Sequence, residues 1–149
     1  RGPGRDDLYG WSGDDTICGG VGSDTLTGGD GNDTFKFSAG DSIFSNTDYI
    51  IDTITDLSVG DKIDLSTIST NLNLITSVID INSELTVDTT TSGFDVFFTK
   101  LNNHYYLAYE TTSGDNDTQG NIGVIDIGIA LIGSLPTYTV SNGVITIIS

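Results

Sequence analysis

The chain has 149 residues, of which 21 are acidic and 5 basic, and its formal charge of −16 excludes nucleic acid and anionic membrane surfaces as partners, because phosphate binding needs clustered Lys and Arg. The single cysteine, Cys18, excludes an internal disulfide framework, and 19 Gly against 2 Pro with 36% apolar residues suits a turn-dense all-β chain of one domain or two small, closely packed units. Excess carboxylate means either a solvated acidic surface or cation binding, and the spacing of the aspartates decides between them.

The first 36 residues repeat every nine: RGPGRDDLY, GWSGDDTIC, GGVGSDTLT, GGDGNDTFK. The pattern is G-G-x-G-x-D-x-U-x with U a large apolar residue, and the third and fourth blocks match it fully. The U slot holds Leu8, Ile17, Leu26 and Phe35, and the sixth slot holds Asp6, Asp15, Asp24 and Asp33. Arg1 replaces the first Gly of one block and Trp11 the second Gly of the next. The array starts in phase, as expected of a piece of a longer one, and no secretory leader is read at its start.

After Lys36 the period stops, and 38–46 reads as an irregular connection. Residues 48–66, DYIIDTITDLSVGDKIDLS, alternate apolar and polar and predict two or three short strands with a turn at Val59–Gly60–Asp61. Strands are expected at 85–88, 95–99 and 105–109, with turn signals at Ser92–Gly93 and Asn102–Asn103. Residues 71–81 are open between a short helix and none: Leu72, Ile75, Val78 and Ile79 share a helical face, but Ile and Thr weaken it. Two closing strands are expected at 124–132 and 140–148, around Ser134–Leu135–Pro136. Residues 127–149 carry no charge, yet Pro136, Thr137, Tyr138, Ser141, Asn142 and Gly143 interrupt them too often for a membrane span. The expected division is a roll over 1–46 and a β-rich cap over 47–149.

Each nonapeptide divides its labour. G-G-x-G-x-D is a turn and D-x-U-x a short strand, so two repeats complete one coil and strands eighteen residues apart stack in parallel. So thin a coil buries little apolar surface and needs other cohesion. Carbonyls of the glycine turns (Gly2, Gly4, Gly13, Gly20, Gly22, Gly29 and Gly31) together with Asp carboxylates can surround a hard cation with oxygen, the environment Ca²⁺ prefers. Asp6 is expected to share an ion with Asp24, and Asp15 with Asp33; Asp41 and Asp52 are the candidates for the layer that follows. The competing reading is that these aspartates form Asx turns on a solvated surface.

The repeats, then DTFKF, then Asp52 to Leu57 as D-x-I-x-D-L, then GDKIDLS at 60–66, resemble the C-terminal RTX (repeats-in-toxin) domain of serralysin-type secreted proteins. Leu57 stands where that family usually has Phe. The resemblance covers residues 1–66 with specific motifs, and beyond Ser66 only in its β-rich, acidic, Lys-poor style. It implies an all-β fold, a parallel β-roll of nonapeptide repeats followed by an antiparallel β cap or sandwich. It further implies calcium as cofactor and a type I secretion transporter as partner, with the export signal at the extreme C-terminus.

A second candidate calcium site is a loop in which Asp115, Asp117, Gln119, Gly120, Asn121 and Asp126 fall at EF-hand-like positions. Its last ligand is Asp instead of Glu and its flanks read as strands, so an acidic β-turn is the competing reading. No catalytic role is expected. A zinc protease needs H-E-x-x-H, and His104 is the single histidine; no G-x-S-x-G is present. Cys18 fills a repeat's variable slot, and Trp11 reads as a lid on the first coil. The expectation is a calcium-folded export module, extracellular or on a bacterial cell surface, of a large adhesin or S-layer subunit. The alternative is an accessory module of an exoenzyme (protease, lipase or alginate epimerase). A cell-surface polysaccharide is a further candidate partner.

Overall fold

The computed structural model describes residues 2–44, 49–74, 94–101, 104–110, 122–128 and 137–149. Its strands are β1 (Asp7–Ser12), β2 (Thr16–Ile17), β3 (Thr25–Asp30), β4 (Thr34–Lys36), β5 (Ile43–Phe44), β6 (Tyr49–Ile50), β7 (Asp52–Ile54), β8 (Lys62–Asp64), β9 (Leu72–Leu74), β10 (Phe94–Leu101), β11 (His104–Glu110), β12 (Ile122–Gly128), β13 (Tyr138–Ser141) and β14 (Val144–Ile147). The expected all-β roll with an antiparallel cap is the architecture observed. No helix occurs among the described residues, and 72–74 of the ambiguous run is strand. The expected strand at 85–88 lies outside the described residues.

Two sheets enclose the core. One runs β1-β3-β7-β12-β11-β10-β9, with β5 and β6 attached beside β12; the other runs β13-β14-β8-β4-β2. Within each, the strands of the roll are parallel: β1 with β3 and β3 with β7 on one side, β2 with β4 and β4 with β8 on the other. The parallel ladders therefore run past Asn46, through Asp64. Each side then becomes antiparallel, through β12, β11 and β10 or through β14 and β13.

The register stacks the apolar slot into two columns. Leu8 faces Leu26 and Leu26 faces Ile54; Ile17 faces Phe35 and Phe35 faces Ile63, which in turn faces Ile145. Leu26, Phe35, Ile54, Ile63 and Ile145 are wholly buried, each worth about 1.5–3 kcal/mol of apolar transfer. Leu8, at the end of its column, is half-buried. Alternation puts Thr25, Thr27 and their neighbours on the outer face, where the Thr27 and Thr55 hydroxyls lie 2.7 Å apart.

The closing segment differs from expectation. Residues 140–148 are not one strand: β13 and β14 form a hairpin, with Ser141 opposite Val144. Asn142 (φ 51°) and Gly143 (φ 79°) both take positive φ, as the two central residues of a type I′ turn require. The hairpin packs β14 on β8, Ile145 opposite Ile63.

Candidate metal centre

Two ladders of aspartates run along the turns. In one, the Asp6 N–H donates to Oδ1 of Asp24 at 2.8 Å, and the Asp24 N–H donates to Oδ1 of Asp52 at 2.8 Å. In the other, the Asp15 N–H donates to Oδ1 of Asp33 at 2.9 Å, and the Asp33 N–H donates to Oδ1 of Asp61 at 2.9 Å. The first step of each ladder spans 18 residues, the second 28. Asp6 and Asp24, and Asp15 and Asp33, are thus neighbours as the repeat spacing requires, and Asp52 joins the first ladder.

Asp24, Asp33 and Asp52 each have one oxygen committed to a ladder N–H and one uncommitted. Oδ2 of Asp15, Asp24, Asp33 and Asp52 is buried with no hydrogen-bond partner, although Asp24, Asp33 and Asp52 are at most 1% exposed. An unmatched buried carboxylate oxygen is costly. The turn leaves room for it only because of glycine: a Cβ on Gly10, Gly19 or Gly28 would collide with the carboxylate of Asp15, Asp24 or Asp33. Carbonyls crowd the same turns, since a Cβ on Gly22, Gly29 or Gly31 would strike the carbonyl oxygen of Gly4, Trp11 or Gly13. Among the described residues no three His, Cys, Asp or Glu side chains converge on one point. A cation here would be held by at most two carboxylates, the balance coming from backbone carbonyls. That all-oxygen donor set fits Ca²⁺.

The ladders end differently. The Asp61 carboxylate is fully engaged, because its Oδ2 also accepts the Ser58 N–H at 2.7 Å and the Ser58 hydroxyl at 3.1 Å. Beyond Asp52 a hydroxyl takes the place of the next carboxylate. The Asp52 N–H donates to Ser42 Oγ at 3.0 Å, and Ser42 Oγ donates to the carbonyl of Val124. Burial pushes the Asp52 carboxyl up to about 7, against the hydrogen bond from the Asp24 N–H and with the charges of Asp24 and Asp41. Burial also raises Asp61, opposed by the hydrogen bonds from Asp33 and Ser58. Tyr109, whose hydroxyl is buried without a partner, is raised by burial and by the charges of Asp52 and Asp41.

Asp41 lies off both ladders. Its Oδ2 accepts the Ser38 N–H at 2.7 Å while its own N–H donates to the Ser38 carbonyl at 3.1 Å, the same local closure that Asp61 makes with Ser58. Of the proposed loop site, Asp115 and Asp117 lie outside the described residues. Asp126 stands on β12 with Oδ1 3.3 Å from His104 Nδ1.

Asp61, Ser42 and the first-slot glycines Gly10, Gly19 and Gly28 were not singled out from the sequence. Asp61 carries a readable signal: G-D-K-I at 60–63 has the G-x-D-x-U shape shortened by one residue, and D-T-I-T at 52–55 copies D-T-L-T at 24–27. Asp56 is a further addition, its two oxygens accepting the Gly28 and Gly29 N–H groups at 2.8 Å each.

A solved structure, the solution structure of the AlgE6R3 subunit from the Azotobacter vinelandii mannuronan C5-epimerase, is similar over 93% of this chain and 86% of that one, at 21% identity and a TM-score of 0.47. Comparison with curated proteins gives no match. Residues 7–127 match the family described as Peptidase M10 serralysin C terminal, with its RTX repeats, and the chain belongs to that family.

Proposed function

We propose that this chain is a calcium-folded export module, with ions held between successive turns of the roll by Asp6, Asp24 and Asp52 on one side and Asp15 and Asp33 on the other. The observation that carries the reading is the row of buried, unpartnered Oδ2 atoms on Asp15, Asp24, Asp33 and Asp52. A bound Ca²⁺ supplies the positive charge those oxygens lack. The turn glycines present their carbonyls beside them, and the ladder N–H groups hold the carboxylates of Asp24, Asp33 and Asp52 in place through Oδ1. Asp115, Asp117 and Asp126 are retained as a second proposed site.

Membership of the serralysin C-terminal family goes with an RTX module of a type I-secreted protein, and extracellular placement follows from export. Without metal, facing carboxylates within a chain at −16 oppose compaction, and ordering each residue costs on the order of 1 kcal/mol or more. At about tenfold saturation each ion contributes roughly 1.4 kcal/mol, so several sites match the margin of a small domain. An extended chain suits a transporter, and a calcium-folded one outside cannot return. For the parent protein we favour an adhesin or S-layer subunit on the cell surface, on the abundance of Thr, Ser and Asn and the lack of catalytic motifs. The second reading, an accessory module of an exoenzyme, is favoured by the peptidase in the family's description.

The test is circular dichroism of the 149-residue chain in chelator and then in millimolar calcium. We expect β-signal and melting temperature to rise together on adding calcium. A signal already complete in chelator, with an unmoved melting temperature, contradicts the proposal.

A further inference from the structure

Trp11 sits in a slot that the repeat reserves for glycine. Its counterparts Gly20 and Gly29 have φ of 96° and 100°, and Trp11 adopts 80°. A bulky residue is strained in that region. Packing returns nothing for the strain, because Trp11 is 78% exposed. Among the described residues the indole's ring neighbour is Tyr9, itself 57% exposed, with ring centroids 5.9 Å apart and planes tilted by 37°.

Strand alternation puts Asp7 and Tyr9 on the same outward face of β1, while Leu8 turns inward, and the ring contact with Tyr9 sets the Trp11 indole beside that face. Beside Trp11 the neighbouring strand presents Gly29, and Tyr9 faces Thr27. The rings therefore rise above small neighbours. At the Gly29 end, the Asp56 carboxylate caps the Gly28 and Gly29 N–H groups. A cavity of about 550 Å³ runs between β1 and β2, its wall shared by Asp7, Tyr9 and Trp11 with the inward-facing Leu8 and Ile17 and with Asp15, and it holds no basic side chain.

We propose that Asp7, Tyr9 and Trp11 form a recognition site for a soluble organic cation of the quaternary-ammonium class. Aromatic faces attract such a cation through their quadrupole, and the carboxylate beside them supplies the opposite charge. The field of a chain at −16 concentrates cations and repels anions, phosphate-bearing headgroups included. Neither Asp7 nor either ring belongs to the aspartate ladders, and Asp15 is the one ladder residue that shares the cavity wall, so the site is tested with calcium present.

Trp11 is the chain's one tryptophan, so its emission reports on this site alone. The probe is choline chloride, titrated against the 149-residue chain in millimolar calcium. We expect a saturable change in emission with a midpoint at about millimolar or below. The neutral isostere 3,3-dimethyl-1-butanol should bind about tenfold more weakly or not at all. Tyr9→Ala, which leaves the reporter in place, should weaken choline by roughly two- to thirtyfold, the range of a cation–π contact. Trp11→Gly restores the residue of the repeat; it should keep the calcium response in circular dichroism and lose choline-dependent NMR shifts at β1. Three results overturn the proposal: no saturable response to choline, equal binding of the neutral alcohol, or retention of choline binding by Trp11→Gly. A response to phosphatidylcholine vesicles that exceeds the response to choline overturns its assignment to a soluble cation.

Discussion

The main-chain N–H of Asp24 donates to Oδ1 of Asp52 at 2.8 Å, although 28 residues separate the two. Asp24 also accepts the Asp6 N–H, so it is bonded to the coils on both sides of it.

Asp24→Ala should therefore be the most damaging single change in its ladder. It leaves the Asp6 N–H without its acceptor, a loss of roughly 1–3 kcal/mol, and removes a carboxylate from two adjoining layers. Calorimetric calcium titration should show fewer ions and a lower melting temperature than for Asp6→Ala. Unchanged stoichiometry in Asp24→Ala would show the stacking register to be wrong.

The buried Asp52 makes the metal-free chain sensitive to pH. Its carboxyl is raised from 3.8 to about 7 in the fold. Between those values the folded chain holds a proton that the unfolded chain has released, so this group's contribution is full below the lower value and is lost as pH rises through the upper one. In chelator, Asp52→Asn should flatten the decline in melting temperature between about pH 5 and pH 7. At pH 6, calcium uptake by the unaltered chain should release protons into a weakly buffered solution, because metal ligands must be deprotonated. Absence of proton release would remove Asp52 from the ligand set.

Two glycine substitutions separate crowding from backbone strain. Gly28→Ala puts a methyl group into the Asp33 carboxylate, so calcium affinity should fall together with stability. Gly13→Ala meets no atom within 4 Å but sits at φ +106°, so it should lower the melting temperature by strain while leaving calcium stoichiometry intact. Equal calcium affinity in both variants would mean that Asp33 binds no ion.

The antiparallel strands should hold without metal. Val96, Leu107 and Ile125 are fully buried where β10, β11 and β12 pair, and that packing meets the aspartate ladders at β12, where Ile125 pairs with Asp52. In chelator, amide exchange should be slow on β11 and fast on β1 to β4. Leu107→Ala should cost about 2–5 kcal/mol in calcium and in chelator alike.

Export can be tested at the closing hairpin. Removing residues 137–149 takes away β13 and β14 and uncovers β8. Secretion through a matched type I transporter should stop, while calcium titration of the purified remainder still registers binding at the first coils. Normal secretion of the shortened chain would place the export signal elsewhere.

The sequence by itself determined the first two coils. A strict nonapeptide period makes every eighteenth residue a neighbour, so the Asp6–Asp24 and Asp15–Asp33 contacts and the Leu8–Leu26 and Ile17–Phe35 columns follow from counting. It also determined that no helix should dominate, because β-branched and turn residues fill the chain. The hairpin at Asn142–Gly143 was written in its two turn residues but was masked by the apolar run around it. Only the tertiary structure decided that Asp52 and Asp61 continue the ladders. The chain leaves the coil after Lys36 and returns ten residues out of phase, a 28-residue step in place of 18. A period read along the chain cannot see across such an excursion, whereas parallel strand pairing restores the register in space: Leu26 meets Ile54 and Phe35 meets Ile63 whatever the length of chain between them. Only packing, likewise, decided which carboxylate oxygens are left without partners. That depends on how closely glycine lets one turn approach the next, and on Ser42 and Ser58 closing the two ladder ends in different ways.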